Sequence, residues 1–378
     1  MVVRLFHPWV GGMERQALAL AVALSRRGID VRIVTGRWFP GTSRREVIEG
    51  VPVIRHSTLW EGFGIRGLRR LGGVTYMLSL ARYLYSQRSH YDIIHVHGLS
   101  YHAFVASALG RRLGKPVIVK LANSGMASDI EKMKSGQHLP LTRLMLPTAL
   151  SCDRLVVLNE LITTELEKAG VEPARLVRIP NGVVVSDNSQ SAPGEGFQIL
   201  FLGRLHPQKG LDVLLEALKR AMSIRQDSLR LVLAGDGPER GRLEKLAADL
   251  GVGAEVEFLG TVDDPRRQLA RADLLVLPSY AEGLSNVLLE AMASGVPVVA
   301  SDIEANRSLI EDGVSGRLFA VGDPDDLARI LVELADDPAA REDLGRRARA
   351  VVEAHYTIQQ VASRYEELYG ELMSEVDR

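Results

Sequence analysis

The chain of 378 residues is 25% charged and 46% hydrophobic, the balance of a soluble globular protein, and it is too long for one ordinary core and fits two domains. Its single cysteine, Cys152, excludes an internal disulfide, and it shows no apolar run of about 18 residues and no signal-peptide core, so a reducing, cytoplasmic location is expected. The formal net charge of −1 hides an asymmetry: residues 1–185 hold 25 Lys+Arg against 13 Asp+Glu, and residues 186–378 hold 21 against 34. A basic first half suits an anionic membrane surface or a lipid-phosphate partner; otherwise it balances the acidic half across a cleft. No recognisable nucleic-acid-binding motif is present, so nucleic acid is not an expected partner.

In chain order, residues 2–6 read as a very short strand, followed by His7-Pro-Trp-Val-Gly11-Gly12. A helical pattern from about Glu14 to Arg27 stops at Gly28, and Asp30–Thr35 is a strand, so the chain opens as a doubly wound sheet does. Gly11 and Gly12 would let a ligand approach the backbone at the helix start, or simply serve a tight turn. There is no G-x-G-x-x-G, so a dinucleotide cofactor is not indicated. Val51–Arg55 is a strand. The glycine- and arginine-rich stretch from Gly62 to Gly73 places Ile65, Leu68 and Leu71 beside Arg66, Arg69 and Arg70. It reads either as a segment lying on a membrane surface or as an ordinary surface element, and its glycines favour the second. A helical pattern follows through Leu84.

Tyr91–Gly98 is a buried strand ending His95-Val-His97-Gly98. Residues two apart on a strand face the same way, but a metal needs further ligands and none is placed nearby. Lys115–Gly125 is a strand and loop, Cys152–Leu158 another strand, and Val177–Val183 closes the first half. Residues 186–195 read as a linker. A second α/β unit starts with the strand Phe197–Leu202, and Gly203-Arg204-Leu-His-Pro-Gln-Lys209-Gly210 follows at once. An arginine fork and a lysine point charge on one glycine-bracketed loop suit a diphosphate. Leu229–Ala234 is a strand leading to a turn at Gly235, with a helix to Leu250; Val256–Val262 is a strand through Gly260. Past the central stretch come a short strand in Gly313–Phe319, helices near 324–336 and 338–354, and a final helix from Ile358 with Val361, Tyr365, Leu368 and Leu372 at helical spacing.

The central stretch is residues 278–302. A buried strand, Asp273–Pro278, runs into the loop Glu282-Gly283-Leu284-Ser285. Asn286–Ser294 is helical, with Val287, Leu288 and Ala291 on its apolar side and Gly295 as its stop; Val296–Ala300 is the next strand. Were the whole segment helical, Glu282 and Glu290 would stand roughly 12 Å apart along its axis. The first N–H groups of a helix have no partner within it and seat phosphate oxygens. The layout suits a long ligand with hydroxyls at both ends and an anion in the middle.

Glu282-Gly-Leu-Ser-Asn-Val-Leu-Leu-Glu290-Ala-Met-Ala-Ser-Gly-Val-Pro-Val resembles the signature of the retaining, nucleotide-sugar-dependent glycosyltransferases of family 4, the glycosyl transferases group 1, and the likeness extends over most of the chain. The resemblance implies the α/β GT-B fold: two doubly wound Rossmann-like domains facing a cleft. Residues 1–185 would form the acceptor side, 196–356 the nucleotide-sugar side, and the final helix, 357–378, would cross back onto the first domain. It implies metal-independent transfer with retention from a nucleoside-diphosphate sugar, a donor substrate and not a cofactor. The acceptor would be a sugar, lipid-linked or other hydroxyl, in glycolipid or polysaccharide synthesis, with the protein cytoplasmic or peripheral at the inner face of the membrane.

By the same resemblance Arg204 and Lys209 would bind the diphosphate and Glu282 the transferred sugar. Glu290 would take the ribose, Gly283, Leu284, Ser285 and Asn286 the phosphates through the helix start, and Gly235 and Gly260 the remaining nucleotide contacts. Gly11 and Gly12 would lie near the donor diphosphate and leave room for the acceptor, His97 with Gly98 would line the cleft, and Asn123 would stand close to the transferred sugar. No Asp-x-Asp is placed to hold a metal. The sequence departs from the family pattern in three places. Its first strand is short, so a start upstream of Met1 is an expectation. The histidine usual near Ala122 or Asn123 is missing, and Asn123 or Ser124 would supply that hydrogen bond. The aspartate that often follows Asn-Gly-Val is Val184. A sugar-nucleotide epimerase of similar fold and a non-catalytic nucleotide-sugar binding subunit are the alternatives.

Overall fold

The computed structural model describes residues 1–9, 11–58, 69–123, 128–136, 141–185, 196–225 and 229–376. The chain forms two compact units, Met1–Gly182 with Ile358–Arg378, and Val183–Thr357. The elements run β1 (Val2–Val3), α1 (Gly12–Arg26), β2 (Ile33–Gly36), β3 (Arg45–Ile48), β4 (Val51–His56), α2 (Arg69–Ser86) and β5 (Ile94–His97). Then come α3 (Tyr101–Leu113), β6 (Val117–Lys120), α4 (Asp129–Lys134), α5 (Thr142–Ala149), β7 (Arg154–Val157), α6 (Glu160–Lys168) and β8 (Leu176–Arg178). The second unit holds β9 (Phe197–Leu202), α7 (Leu211–Ile224), β10 (Leu229–Ala234), α8 (Arg240–Asp249), β11 (Val256–Gly260), α9 (Pro265–Leu269) and β12 (Leu274–Leu277). It continues with α10 (Asn286–Ala293), β13 (Val298–Ser301), α11 (Glu304–Arg307), β14 (Arg317–Phe319), α12 (Pro324–Asp336) and α13 (Pro338–His355); α14 (Ile358–Val376) ends the chain.

The first unit is an eight-stranded sheet ordered β3-β4-β2-β1-β5-β6-β7-β8, parallel except for the β3–β4 pair. Strand β1 is only two residues long yet central, pairing with β2 on one side and β5 on the other. The chain winds outward from β1 through β2 and β4, then returns to lay β5 on β1's other side. That reversal opens a crevice at the carboxyl ends of β1 and β5, where ligands of such sheets bind. Helix α14 belongs to this unit and packs on α1. Val361, Tyr365, Leu368 and Leu372 are all buried, and together they stabilise the docked helix by roughly 6–10 kcal/mol before its ordering cost. Gly182 is needed here, because a Cβ on it would stand 2.9 Å from Ile358 Cα.

The second unit is a six-stranded sheet ordered β11-β10-β9-β12-β13-β14, parallel throughout its named strands. Its strands are near-continuous apolar runs, as buried parallel strands are. The chain runs β9 to β10 to β11, then reverses to place β12 beside β9. The crevice at that reversal is bounded by the loop after β9 and the loop after β12, which are the Arg204–Lys209 and Glu282–Ser285 segments.

Several expectations need correcting. Nothing in the apolar pattern marked β3, an edge strand in a hairpin whose turn, Glu49-Gly50, has φ of 49° and 83°. The strand expected over residues 2–6 shrinks to Val2–Val3. Helix α10 buries Leu288, Leu289, Ala291, Met292 and Ala293, while Val287 is only half-buried, because the helix lies in the core with most of its circumference covered. The 186–195 linker, Ser124 and the glycine-rich segment before Arg69 lie outside the described residues.

Candidate active site

In the second unit the loop after β9 cannot carry side chains at its close approaches. Gly235 has φ 149°, and a Cβ on it would stand 1.8 Å from Gly203 O; one on Gly237 would stand 2.1 Å from Leu205 O. Gly210, at φ 60°, would clash with Pro278 O at 2.2 Å. These glycines let the turns after β9, β10 and β12 stack backbone on backbone. The result is a loop, Gly203–Gly210, laid against residues 278–282.

Gln208 joins the two. Its Nε2 donates to Ala281 O at 2.6 Å, and its carbonyl accepts from Tyr280 N at 2.9 Å. Pro207–Lys209 forms one 3₁₀ turn, N-capped by His206, whose Nδ1 accepts from Gln208 N. The turn aims Lys209 at the loop after β12. Lys209 Nζ donates to Glu282 Oε1 at 2.6 Å, and Ser279 Oγ donates to the same oxygen at 2.6 Å. The two ionic side chains are 22% and 11% exposed, sheltered but not sealed. Arg204 is exposed at the start of the loop, and its guanidinium makes no hydrogen bond or ion pair with any described residue.

Ser285 caps α10: its Oγ accepts from Leu288 N at 3.4 Å, and Leu284 and Ser285 are buried at the turn. The positive end of the helix therefore stands directly after Glu282 and Gly283. Glu290 lies half-buried on the second turn of α10, and Gly260, with φ 71°, ends β11. The structure thus brings Lys209 and Glu282 into contact, with Ser285 capping the helix that follows. Sequence reasoning missed Gln208 and Ser279; neither carries a motif, and only the sheet reversal makes them neighbours.

In the first unit, Gly11 caps α1 and its N–H donates to Glu14 Oε2 at 3.1 Å; a Cβ on Gly11 would sit 2.6 Å from that oxygen. Gly11 has an ordinary φ of −102°, so the need is for space and not for a left-handed backbone. Burial pushes the Glu14 carboxyl above its ordinary pKa, against the hydrogen bonds that lower it. Gln16, also missed, ties α1 to the turn after β8, exchanging hydrogen bonds of 2.9 and 3.1 Å with Gly182 O and N.

Two first-unit expectations change. His97 is 1% exposed and stacks on His95 at 4.4 Å, so its imidazole is packed inside and is not an accessible lining group. The cause is the side of the sheet it occupies: His95, two residues before it, meets Tyr365 and Tyr369 of α14, with Nδ1 2.7 Å from Tyr369 Oη. Burial holds both imidazoles well below their ordinary pKa. Asn123 gives Nδ2 to Asp129 Oδ1 at 2.9 Å, while Asp129 Oδ2 accepts from Ala122 N and Asn123 N. Its amide is engaged in holding the loop after β6. Among the described residues no group of His, Cys, Asp or Glu is arranged to hold a metal ion.

Two family models match successive parts of the chain: "Glycosyl transferase 4-like domain" over residues 11–182 and "Glycosyl transferases group 1" over residues 185–351. The lipopolysaccharide core biosynthesis glycosyltransferase LpsE of Rhizobium meliloti is 34% identical over 187 residues, 49% of this chain; the chain spans about half that protein's length, 54%. The phosphatidyl-myo-inositol mannosyltransferase of Mycobacterium tuberculosis is 29% identical over 95% of this chain and 93% of its own. Among solved structures, sucrose-phosphate synthase from Thermosynechococcus elongatus superposes with a TM-score of 0.82 at 22% identity, covering 99% of this chain and 100% of that one, a likeness of fold. With two Rossmann-like units and both halves matched, the chain belongs to the family 4 type of glycosyltransferases, with the GT-B fold.

Proposed function

We propose that the chain moves a sugar from a nucleoside-diphosphate sugar to a hydroxyl acceptor with retention of configuration and without a metal ion. The observation that carries this reading is the meeting of Lys209 and Ser279 on Glu282 at the sheet reversal of the second unit, three residues before Ser285, which caps α10. The bond from the sugar's anomeric carbon to the diphosphate oxygen breaks, and the acceptor oxygen bonds to that carbon. The acceptor's proton passes to the departing phosphate oxygen on the same face. Arg204, Lys209 and the N-terminus of α10 take up the negative charge that grows on the diphosphate. Glu282 holds sugar hydroxyls and steadies positive charge on the ring, while Glu290 accepts hydrogen bonds from the ribose. The backbone after Gly260 meets the base.

The test is slow hydrolysis and binding across UDP-, GDP-, ADP- and dTDP-sugars, with and without EDTA. One donor that turns over at an unchanged rate in EDTA is expected. An epimerised nucleotide sugar as product, or tight binding of a donor with neither hydrolysis nor transfer, would replace this reading with the epimerase or the binding subunit.

We further propose a lipid-linked acceptor, met at the cytoplasmic face of an anionic membrane. The two relatives named above are, by name, enzymes of lipopolysaccharide and phosphatidylinositol chemistry. Helices α2 and α5 both pack against α3. None of the three contains an acidic residue. They expose Leu78 (67%) and Leu144 (76%), and also Arg82, Arg111, Arg112 and Arg143. Apolar side chains among arginines match the headgroup boundary of an anionic bilayer. Among the described residues no helix is long and apolar enough to cross a membrane. The chain is expected to float with phosphatidylcholine vesicles containing phosphatidylglycerol at low salt and much less with phosphatidylcholine alone, and Leu78→Glu with Leu144→Glu should abolish flotation. Wild-type protein left unbound by the anionic vesicles at low salt would remove this part of the proposal.

A further inference from the structure

We infer that Ser279 is a positioning residue that keeps Glu282 aimed at the donor sugar after Lys209 has turned to the diphosphate, an inference that rests on the reading of Glu282 given above. In the structure Glu282 Oε1 accepts from two donors of different kinds. Lys209 Nζ is on a long, partly exposed side chain, and an arriving diphosphate competes for it with more negative charge than one carboxylate carries. That partner is therefore exchangeable. Ser279 has no exposed surface and is not exchangeable.

Its fixity comes from a buried relay in the same unit. Ser301 Oγ, at the end of β13, donates to Ser279 O. Asn306 Nδ2, on α11, donates to Ser301 O at 2.8 Å and lies 3.4 Å from Ser301 Oγ. Ser301 and Asn306 have no exposed surface either. Asn306 Oδ1 is buried and has no hydrogen-bond partner among the described residues, a cost that a purely structural site would shed by using an apolar side chain. The relay pins the backbone just after Pro278, three residues ahead of Glu282, so the serine hydroxyl holds one carboxylate oxygen from a fixed point. With a diphosphate in place, Glu282 keeps its rotamer through Ser279. Without that hydroxyl the carboxylate loses a donor fixed in the core.

The experiment is a double-mutant cycle of Ser279→Ala and Glu282→Gln, read as turnover over the same donor panel and as binding of UDP and GDP by titration calorimetry. Ser279→Ala alone is expected to slow turnover roughly ten- to a hundredfold, the loss of one hydrogen bond to a charged group. Nucleoside diphosphate binding should hold within about twofold, since the relay touches no group assigned to the nucleotide, and in the Glu282→Gln background Ser279→Ala should add less than about threefold. Ser279→Cys, which keeps the volume with a weaker donor, takes the place of alanine if alanine lowers the melting temperature. Full additivity, a loss of UDP or GDP binding equal to the loss of turnover, or an unchanged rate in Ser279→Ala while Glu282→Gln is crippled would overturn the inference and leave the reading of Glu282 standing. An active Glu282→Gln single variant would instead sink that reading, and the inference with it.

Discussion

Lys209→Ala is expected to slow donor turnover by about a thousandfold, near 4 kcal/mol of transition-state stabilisation. Two losses combine. On the proposed reading the first is a cation assigned to the departing diphosphate, in a loop whose other basic groups are the exposed Arg204 and His206. The second is indirect. Glu282 is 11% exposed and would lose its counter-ion, so a sheltered carboxylate would face the growing negative charge unneutralised. The missing cation is felt mainly in the transition state, so turnover should fall more steeply than donor affinity. Lys209→Arg should recover part of the rate, because a guanidinium still offers the diphosphate a positive charge and hydrogen bonds. Single-turnover rates with the donor found in the panel decide the matter. Lys209→Ala within about fivefold of wild type would mean that the diphosphate is neutralised elsewhere and that the Lys209–Glu282 pair is a surface clasp. Both partners are sheltered, so Lys209→Ala should also lower the melting temperature, because Glu282 stays sheltered without its lysine.

The same pair shows what could be read in the sequence and what could not. Arg204, Lys209, Glu282 and Glu290 stand out because glycines and prolines punctuate the loops that carry them, and because buried parallel strands are continuous apolar runs. Spacing along the chain says nothing, however, of Lys209 meeting Glu282, 73 residues away. That contact follows from the strand order, in which β12 returns to lie beside β9. Gln208 and Ser279 were illegible for the same reason: a glutamine and a serine gain their roles from the neighbour across the reversal. His97 failed in a different way. Period-two alternation correctly puts it on the side of His95, but a parallel sheet is covered on both faces, so alternation does not tell which cover lies there. The cover beside His95 is α14, more than 250 residues later in sequence. Helix α5 was passed over because Pro147 lies inside it, a residue that usually ends a helix.

Lys120→Met should make the first unit more stable, by several degrees in melting temperature, because Lys120 is a buried amine without an acidic partner among the described residues. It ends β6 in register with His97, and its Nζ lies 5.7 Å from the Tyr365 ring of α14. His95 and His97 stand near it, and the Met1 amino group acts on the same histidines. All are neutral or cationic. Burial lowers the Lys120 pKa to about 7. The unfolded chain therefore binds a proton up to about pH 10.5 that the folded chain gives up above about pH 7. In that window the unfolded state holds more protons, so this lysine makes stability rise with pH, and below about pH 7 its full cost remains, on the order of 5 kcal/mol. The thiol of Cys152 and the phenol of Tyr91, both pushed up to about 12 by burial, work the other way, since the unfolded chain loses those protons first. The readout is consequently a difference: melting of wild type minus melting of Lys120→Met, followed from pH 7 to 10. The gap should be widest at pH 7 and close as pH rises. A gap that is flat in pH, or a methionine variant that melts lower, would show that the amine is charged and satisfied in the fold. If the variant is more stable but no longer transfers sugar, the buried amine is kept for the reaction at the expense of the unit that holds it, as strained and desolvated groups at functional sites often are.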